Sequence, residues 1–472
     1  MVFSSLVFLC IFFPTVFCLH SVIPSMKVRN ALLIIASLIF YAFGEPVYVV
    51  LMILSAFLNY LCAMLMGKTN RTAVLITAVI LNIGILGVFK YTGFFITTLN
   101  SVLHLNVHVP QITLPIGISF FTFQALSYVI DVYRNQVETQ KKFSKVLLYI
   151  SFFPQLIAGP IVKYKDIALE IDARIVDLKE TALGLRRFIC GLAKKILLAN
   201  TMAAAADQIF QQGFDSLNII SAWIGAIAYT MQIYFDFSGY SDMAIGLGRM
   251  FGFHFKENFE HPYASLTIKE FWRRWHISLS SWFKEYVYIP LGGNRRGKIR
   301  TGMNKVLVFF LTGLWHGADW TFVVWGLFHG AFSFLEEFIP TLKKLPHVLL
   351  HIYTMLVVTV GFVIFRSDTL HYALGFIGTM FTGFTFSPSS MSLVYQQLTP
   401  FFIVILAAAI IGCGPIRGLT MRFRTASEKE GALASKETFV LYLLYIAAFV
   451  LLLWCIIRLS GGSYNPFIYF RF

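Results

Sequence analysis

Uninterrupted apolar runs close to the thickness of a lipid bilayer recur from one end of this chain to the other, and that recurrence constrains the fold more than any motif. A membrane-spanning helix needs ~20 apolar residues, and a soluble core absorbs one or two such helices rather than a succession of them. Of 472 residues, 57% are hydrophobic and 13% charged, with a mean hydropathy of +0.72, so water is not the main solvent. The fold class read from this pattern is all-α: a polytopic integral membrane protein with about 11–12 transmembrane helices plus re-entrant and interfacial helices.

The first run, residues 2–19, reads as a retained span, since no basic residue precedes it and no small-residue cleavage pattern closes it. Runs follow at 31–43, 47–66, 73–89 and 112–130. Basic residues come after the first (Lys27, Arg29), the third (Lys68, Arg71) and the fifth (Arg134, Lys141, Lys142, Lys145). The positive-inside rule makes those loops cytoplasmic and puts the N-terminus outside. Residues 151–160 are apolar but short, with two prolines and a glycine, which suits a re-entrant segment buried in protein. The mixed stretch 163–195 suits helices lying at the cytoplasmic interface.

A span is expected at 219–234, then a polar break from Asp236 to Asp242, with the chain returning inward through 243–253. Two carboxylates at membrane depth are expensive, so both should face a cavity or a partner. Residues 268–305 hold nine Lys/Arg against two Glu and belong on the cytoplasmic side. Further runs at 321–334, 348–365, 372–384, 401–412 and 439–457 bring the C-terminus outside with the N-terminus. The basic segment 417–436 then falls inside, whereas Lys343 and Lys344 fall outside, against the rule. The chain reads as a single membrane domain, 1–472, in which 437–472 is a terminal span with an extracytoplasmic aromatic tail.

Six cysteines without a CxxC pairing, most of them inside apolar runs, imply neither a disulfide framework nor a metal site. The net charge of +15 is the signature of loops facing anionic membrane lipid rather than of nucleic acid, because no nucleic-acid-binding motif accompanies it. Walker A, Rossmann, HExxH and GxSxG patterns are missing as well, which removes support for ATP-driven transport, dinucleotide chemistry and zinc proteolysis.

His316 lies in Gly313-Leu314-Trp315-His316-Gly317-Ala318-Asp319-Trp320, at a glycine-rich break between apolar runs. Imidazole exchanges protons near neutral pH, so it suits a base for an acceptor hydroxyl or thiol; a structural role is the alternative. Asp319 either orients it or caps the next helix. His276 follows Phe271-Trp272-Arg273-Arg274-Trp275, a composition that also fits a headgroup anchor. Arg273, Arg274 and Lys284 are candidates for holding a phosphorylated acyl carrier, though positive-inside bias explains the same residues.

Longer blocks carry a resemblance. Leu114-Pro115-Ile116-Gly117-Ile118-Ser119-Phe120-Phe121-Thr122-Phe123-Gln124, Ile157-Ala158-Gly159-Pro160-Ile161 and Tyr234-Phe235-Asp236-Phe237-Ser238-Gly239-Tyr240-Ser241-Asp242 are the longest of them. With the opening Met1-Val2-Phe3-Ser4-Ser5 and the two histidine stretches, the chain resembles the membrane-bound O-acyltransferase family, in particular its alginate O-acetyltransferase branch. The resemblance implies a central tunnel, an essential histidine at His316 and a second characteristic histidine at His276. It implies no permanently bound cofactor, an acyl thioester donor such as acetyl-CoA on the cytoplasmic side, an extracytoplasmic SGNH-like acyltransferase partner and a polysaccharide acceptor, all at a bacterial cytoplasmic (inner) membrane. A similar system that D-alanylates teichoic acids ends a separate small protein in Phe-x-Tyr-Phe. Here Phe467-Ile468-Tyr469-Phe470 closes the chain itself, which makes Tyr469 the expected transient acyl acceptor. D-alanyl or acetyl transfer to teichoic acid or peptidoglycan is the alternative within the class, and a non-enzymatic envelope transporter the alternative outside it.

Overall fold

The computed structural model describes residues 1–339, 344–414, 435–462 and 464–468, with backbone alone over 435–441. The described elements are helices and loops. In chain order the helices are α1 (Phe8–Val22), α2 (Met26–Ala42), α3 (Tyr48–Leu65), α4 (Arg71–Leu103), α5 (Ile118–Tyr133), α6 (Phe143–Ser151) and α7 (Tyr164–Asp172). There follow α8 (Leu178–Phe210), α9 (Ile219–Met250), α10 (Ile268–Arg274), α11 (Ile277–Phe283), α12 (Gly297–His316) and α13 (Trp320–Phe338). The last are α14 (His347–Arg366), α15 (Leu370–Thr382), α16 (Pro388–Gln397), α17 (Pro400–Gly412) and α18 (Ser435–Ser460).

By length and composition, five described stretches suffice to cross a membrane, in α3, α4, α8, α14 and α18, or six when α16 and α17, bent by 63°, count as one. Only 22% of the spanning stretch of α4 and 11% of that of α18 is buried in protein, so both turn apolar side chains outward. Ile76, Ile80 and Phe95 on α4 stand more than half exposed. Water would not tolerate such a surface; lipid does. The protein is a multi-pass membrane protein.

Three sequence expectations change. The polar block from Asp236 to Asp242 does not break a helix: α9 runs 32 residues through it, about 48 Å at 1.5 Å per residue. Its glycines let two backbones meet. A Cβ added at Gly239 would stand 2.7 Å from the Gly191 carbonyl of α8, and one at Gly246 would stand 2.5 Å from the Gly184 carbonyl. The carboxylates are neutralised across the same seam, Asp236 by Lys195 at 2.8 Å and Asp242 by Lys194 at 2.7 Å and Arg187 at 2.8 Å. Residues 178–195 open a longer helix, α8, whose most apolar stretch is 67% buried in protein.

Second, residues 297–316 form a helix of their own, and α12 and α13 make an antiparallel hairpin. Lys305 pairs with Glu337, and Gly302 gives room to the Phe334 ring. Lys344 thus returns to the basic side with Lys298 and Arg300, which removes its conflict with the charge rule. Lys343 and most of the basic segment 417–436 lie outside the described residues. Third, residues 372–384 are not a span. Tyr372 Oη donates to the Gln212 carbonyl at 3.0 Å, and the Gly383 carbonyl accepts from Ile219 N at 2.7 Å, so both ends of α15 rest on one loop. Its 13 residues reach about 20 Å, short of a ~30 Å hydrocarbon layer.

Residues 151–160, expected to be buried in protein, form a short helix at Phe153–Leu156 and turns and are buried throughout.

Candidate functional site

His316 is the last residue of α12, where the helix ends at Gly317 and the chain turns into α13. It is 8% exposed. The rings of Trp315, Trp325 and Phe365 stand edge-on around it with centroids 5.0, 5.2 and 5.2 Å away. These walls are apolar and exclude bulk water, which strengthens any charge interaction formed there. Of the two roles open to Asp319, the structure assigns the cap: its Oδ1 accepts from Thr321 N at 2.9 Å and from Thr321 Oγ1 at 3.1 Å, at the start of α13.

His276 lies nearby, its ring 6.0 Å from that of Trp315, which in turn flanks His316. It occupies a left-handed backbone position, φ 45°, between α10 and α11. Asn258 holds that turn. Its Oδ1 accepts from Ser278 N at 3.1 Å and Ser278 Oγ at 2.9 Å, which fixes it as the oxygen of the amide. His276 Nδ1, 3.1 Å from the same oxygen, must then carry its proton. Nε2, with no partner among the described residues, is the lone-pair nitrogen of the neutral ring.

Cavities lie on both sides of this region, and His316 lines two of them. On the side opposite the basic loops, one of about 440 Å³ is lined by Glu45, Lys90, the 113–120 loop, Trp315 and His316. A neighbour of about 380 Å³ shares Lys90 and Leu114 and reaches Asp319 and Arg366. A narrow cleft of about 20 Å³ brings His316 together with Ile233, Phe237, Trp325, Phe365 and Ile468. On the basic side, a cavity of about 520 Å³ is lined by Arg186, Arg187, Lys194, Arg249, Asp242, Glu257 and Asn258, among others. Helix α9 is the partition. Tyr234, Ser238 and Ser241 face the basic cavity, while Ile233 and Phe237, one step round the helix, face His316. The cavities of the two sides stay separate across α9, where the ring of Phe237 lies 4.6 Å from that of His276.

The end of the chain plugs into this region. Tyr464 Oη donates to Asp207 at 2.6 Å, Asn465 Nδ2 to the Ser4 carbonyl at 3.0 Å, and the Pro466 carbonyl accepts from Lys195. Ile468 N donates to Asp236 Oδ2 at 2.9 Å, with its side chain 5% exposed. Tyr469 itself lies outside the described residues.

The proposed carrier-binding residues are not brought to these cavities. Arg273 and Lys284 are exposed and Arg274 pairs with Glu270; none of the three lines the cavities above. The cations that do line the basic cavity had a legible signal. Leu183, Arg186, Arg187, Cys190 and Lys194 fall at helical spacing on one face of α8. Lys90 was missed too, although a lysine inside a 33-residue apolar helix is a functional signal in its own right.

Residues 55–367 match the model of the MBOAT, membrane-bound O-acyltransferase family. The chain is 39% identical to the probable alginate O-acetylase of Pseudomonas putida over the full length of both proteins. It is 39% identical to the peptidoglycan O-acetyltransferase of Helicobacter pylori over 72% of each chain. Against the teichoic acid D-alanyltransferase of Bacillus subtilis the identity is 28%, over 54% of this chain and 70% of that protein.

Proposed function

The chain belongs to the membrane-bound O-acyltransferase family, and on that premise we propose that it carries an acetyl group from a cytoplasmic thioester to the outer side of a bacterial inner membrane, for O-acetylation of an exported polysaccharide such as alginate. As a member of that family it is an enzyme, an O-acyltransferase, and the transporter alternative falls.

The donor, acetyl-CoA or another phosphorylated acyl thioester, enters the basic cavity. Arg186, Arg187, Lys194 and Arg249 line it, the guanidinium and ammonium groups that suit phosphate. The thioester carbonyl reaches the histidine pair past Phe237. His316 takes the proton of the attacking hydroxyl as the oxygen bonds to the acyl carbon. The C–S bond then breaks, and the thiolate leaves protonated. The first acceptor is the phenol of Tyr469, a poor nucleophile without a base because its ordinary pKa is near 10. An extracytoplasmic SGNH-like partner then moves the acyl group to a sugar hydroxyl.

The single observation that supports this reading is that His316 belongs both to the outer cavity and to the cleft closed by Ile468, the residue before Tyr469. The full-length likeness to an alginate O-acetylase favours acetyl over D-alanyl, since the D-alanyltransferase matches over about half the chain. Mass spectrometry of the C-terminal peptide tests the relay. Acetyl on Tyr469 in membranes with His316 intact, and none with His316→Ala, is the expected pattern; a rapidly quenched sample with donor present and no acetyl on Tyr469 rejects it.

A further inference from the structure

A helix leaves its last carbonyls without partners inside the helix, and His316 sits at that end of α12. The partners here can be named one by one. The Gly313 carbonyl accepts from Gly317 N at 3.2 Å. The Leu314 carbonyl accepts from Tyr91 Oη at 2.7 Å. The Trp315 and His316 carbonyls both accept from Lys90 Nζ, the latter at 3.1 Å. Two consecutive residues of α4, more than two hundred positions away in sequence, thus complete the end of the helix that carries the histidine.

Consecutive side chains seldom reach one target from a regular helix, because they diverge by about 100° around its axis. The backbone at Gly87–Tyr91 is a π turn, which inserts a residue and re-aims the chain, a device found mostly at functional sites. Lys90 spends its third donor on Ser119 Oγ at 3.3 Å, which ties in the start of α5. A cation suits this place because the C-terminus of a helix is its negative end. Lys90 is also the one Lys or Arg among the described residues that lines the 440 Å³ cavity.

We propose that Lys90 and Tyr91 are positioning residues for acyl transfer: they clamp the carboxyl end of α12 so that the His316 ring keeps its place between the outer cavity and the cleft at Ile468. This rests on His316 being the base. The clamp acts on geometry, so its loss should lower turnover and leave donor binding alone, the donor cavity being lined by other helices.

The test uses the full chain, purified and reconstituted in vesicles, with labelled acetyl-CoA as probe and kcat and KM expressed per folded molecule. Lys90→Met should lower kcat about 100-fold, the loss expected of a ~1 Å misplacement, with KM for acetyl-CoA unchanged. Lys90→Arg should recover a large part, because a guanidinium also donates to carbonyls. Tyr91→Phe should cost on the order of fivefold, the worth of one hydrogen bond. A Lys90→Met protein that melts earlier but turns over like the parent would make the clamp merely structural and overturn the proposal. Where Lys90→Met does not accumulate, Tyr91→Phe with parental kcat overturns it equally. His316→Ala separates the two layers: inactive beside a fully active Lys90→Met, it sinks the clamp alone; active, it sinks the reading beneath it.

Discussion

His316 and His276 differ in how they are held, and the difference yields separate expectations. His316 is fixed by its helix end and by aromatic walls, whereas His276 is held chiefly through the amide oxygen of Asn258, 3.1 Å from Nδ1, with Ser278 Oγ farther off at 3.4 Å. Asn258→Leu removes the acceptor that sets the His276 tautomer and strands Ser278. Activity should fall on the order of 10–100-fold, as for other lost orienting partners, with a stability cost of about 1–3 kcal/mol. Steady-state transfer alongside thermal melting in detergent checks both. At this scale the histidines were legible in the sequence through long, specific blocks around them. Asn258 was not, nor were the partners of Lys90, because these are backbone and side-chain atoms of distant segments, and no spacing along one helix encodes such a meeting.

At the scale of elements, the seam between α8 and α9 organises the site, since one face of α9 lines the basic cavity and another lines the cleft at His316. Gly239→Ala would press a methyl against the Gly191 carbonyl and should cost about 1–3 kcal/mol as the helices part. Gly84→Ala on α4, with open space around it, should leave the melting temperature unchanged or slightly higher. The ion pair of the same seam is less forgiving. Lys195 and Asp236 are 3% and 1% exposed, so Lys195→Met strands a buried carboxylate and should cost about 3–5 kcal/mol. Adding Asp236→Asn should restore much of that, measured by denaturation of both variants. The cost of two carboxylates at depth is legible in the sequence, whereas Gly239 and its polar neighbours suggest a break that the helix does not make. The cations that answer them lie about 40 to 55 residues upstream, and only the packed pair of helices makes the polar block compatible with an unbroken helix.

For the whole molecule, apolar run length announced a multi-pass helical protein at once, and the basic loops announced its sides. What the runs left undecided was which of them cross. The α12 and α13 hairpin and the lateral α15 follow from contacts between segments, not from hydropathy. In a cysteine-free background, Lys344→Cys and Lys298→Cys should be labelled by an impermeant thiol reagent from the same side, and His104→Cys from the opposite one. Labelling of the first two from opposite sides would undo the hairpin. The account turns, finally, on acyl transfer through His316. Purified protein in sealed vesicles, given labelled acetyl-CoA on the basic face and the extracytoplasmic partner with a polysaccharide acceptor on the other, should deliver label to that acceptor. His316→Ala of equal abundance should lose about 10²–10⁴-fold of that rate, the range for removing a general base. A variant that transfers acetyl as fast as the parent would contradict the account at its centre.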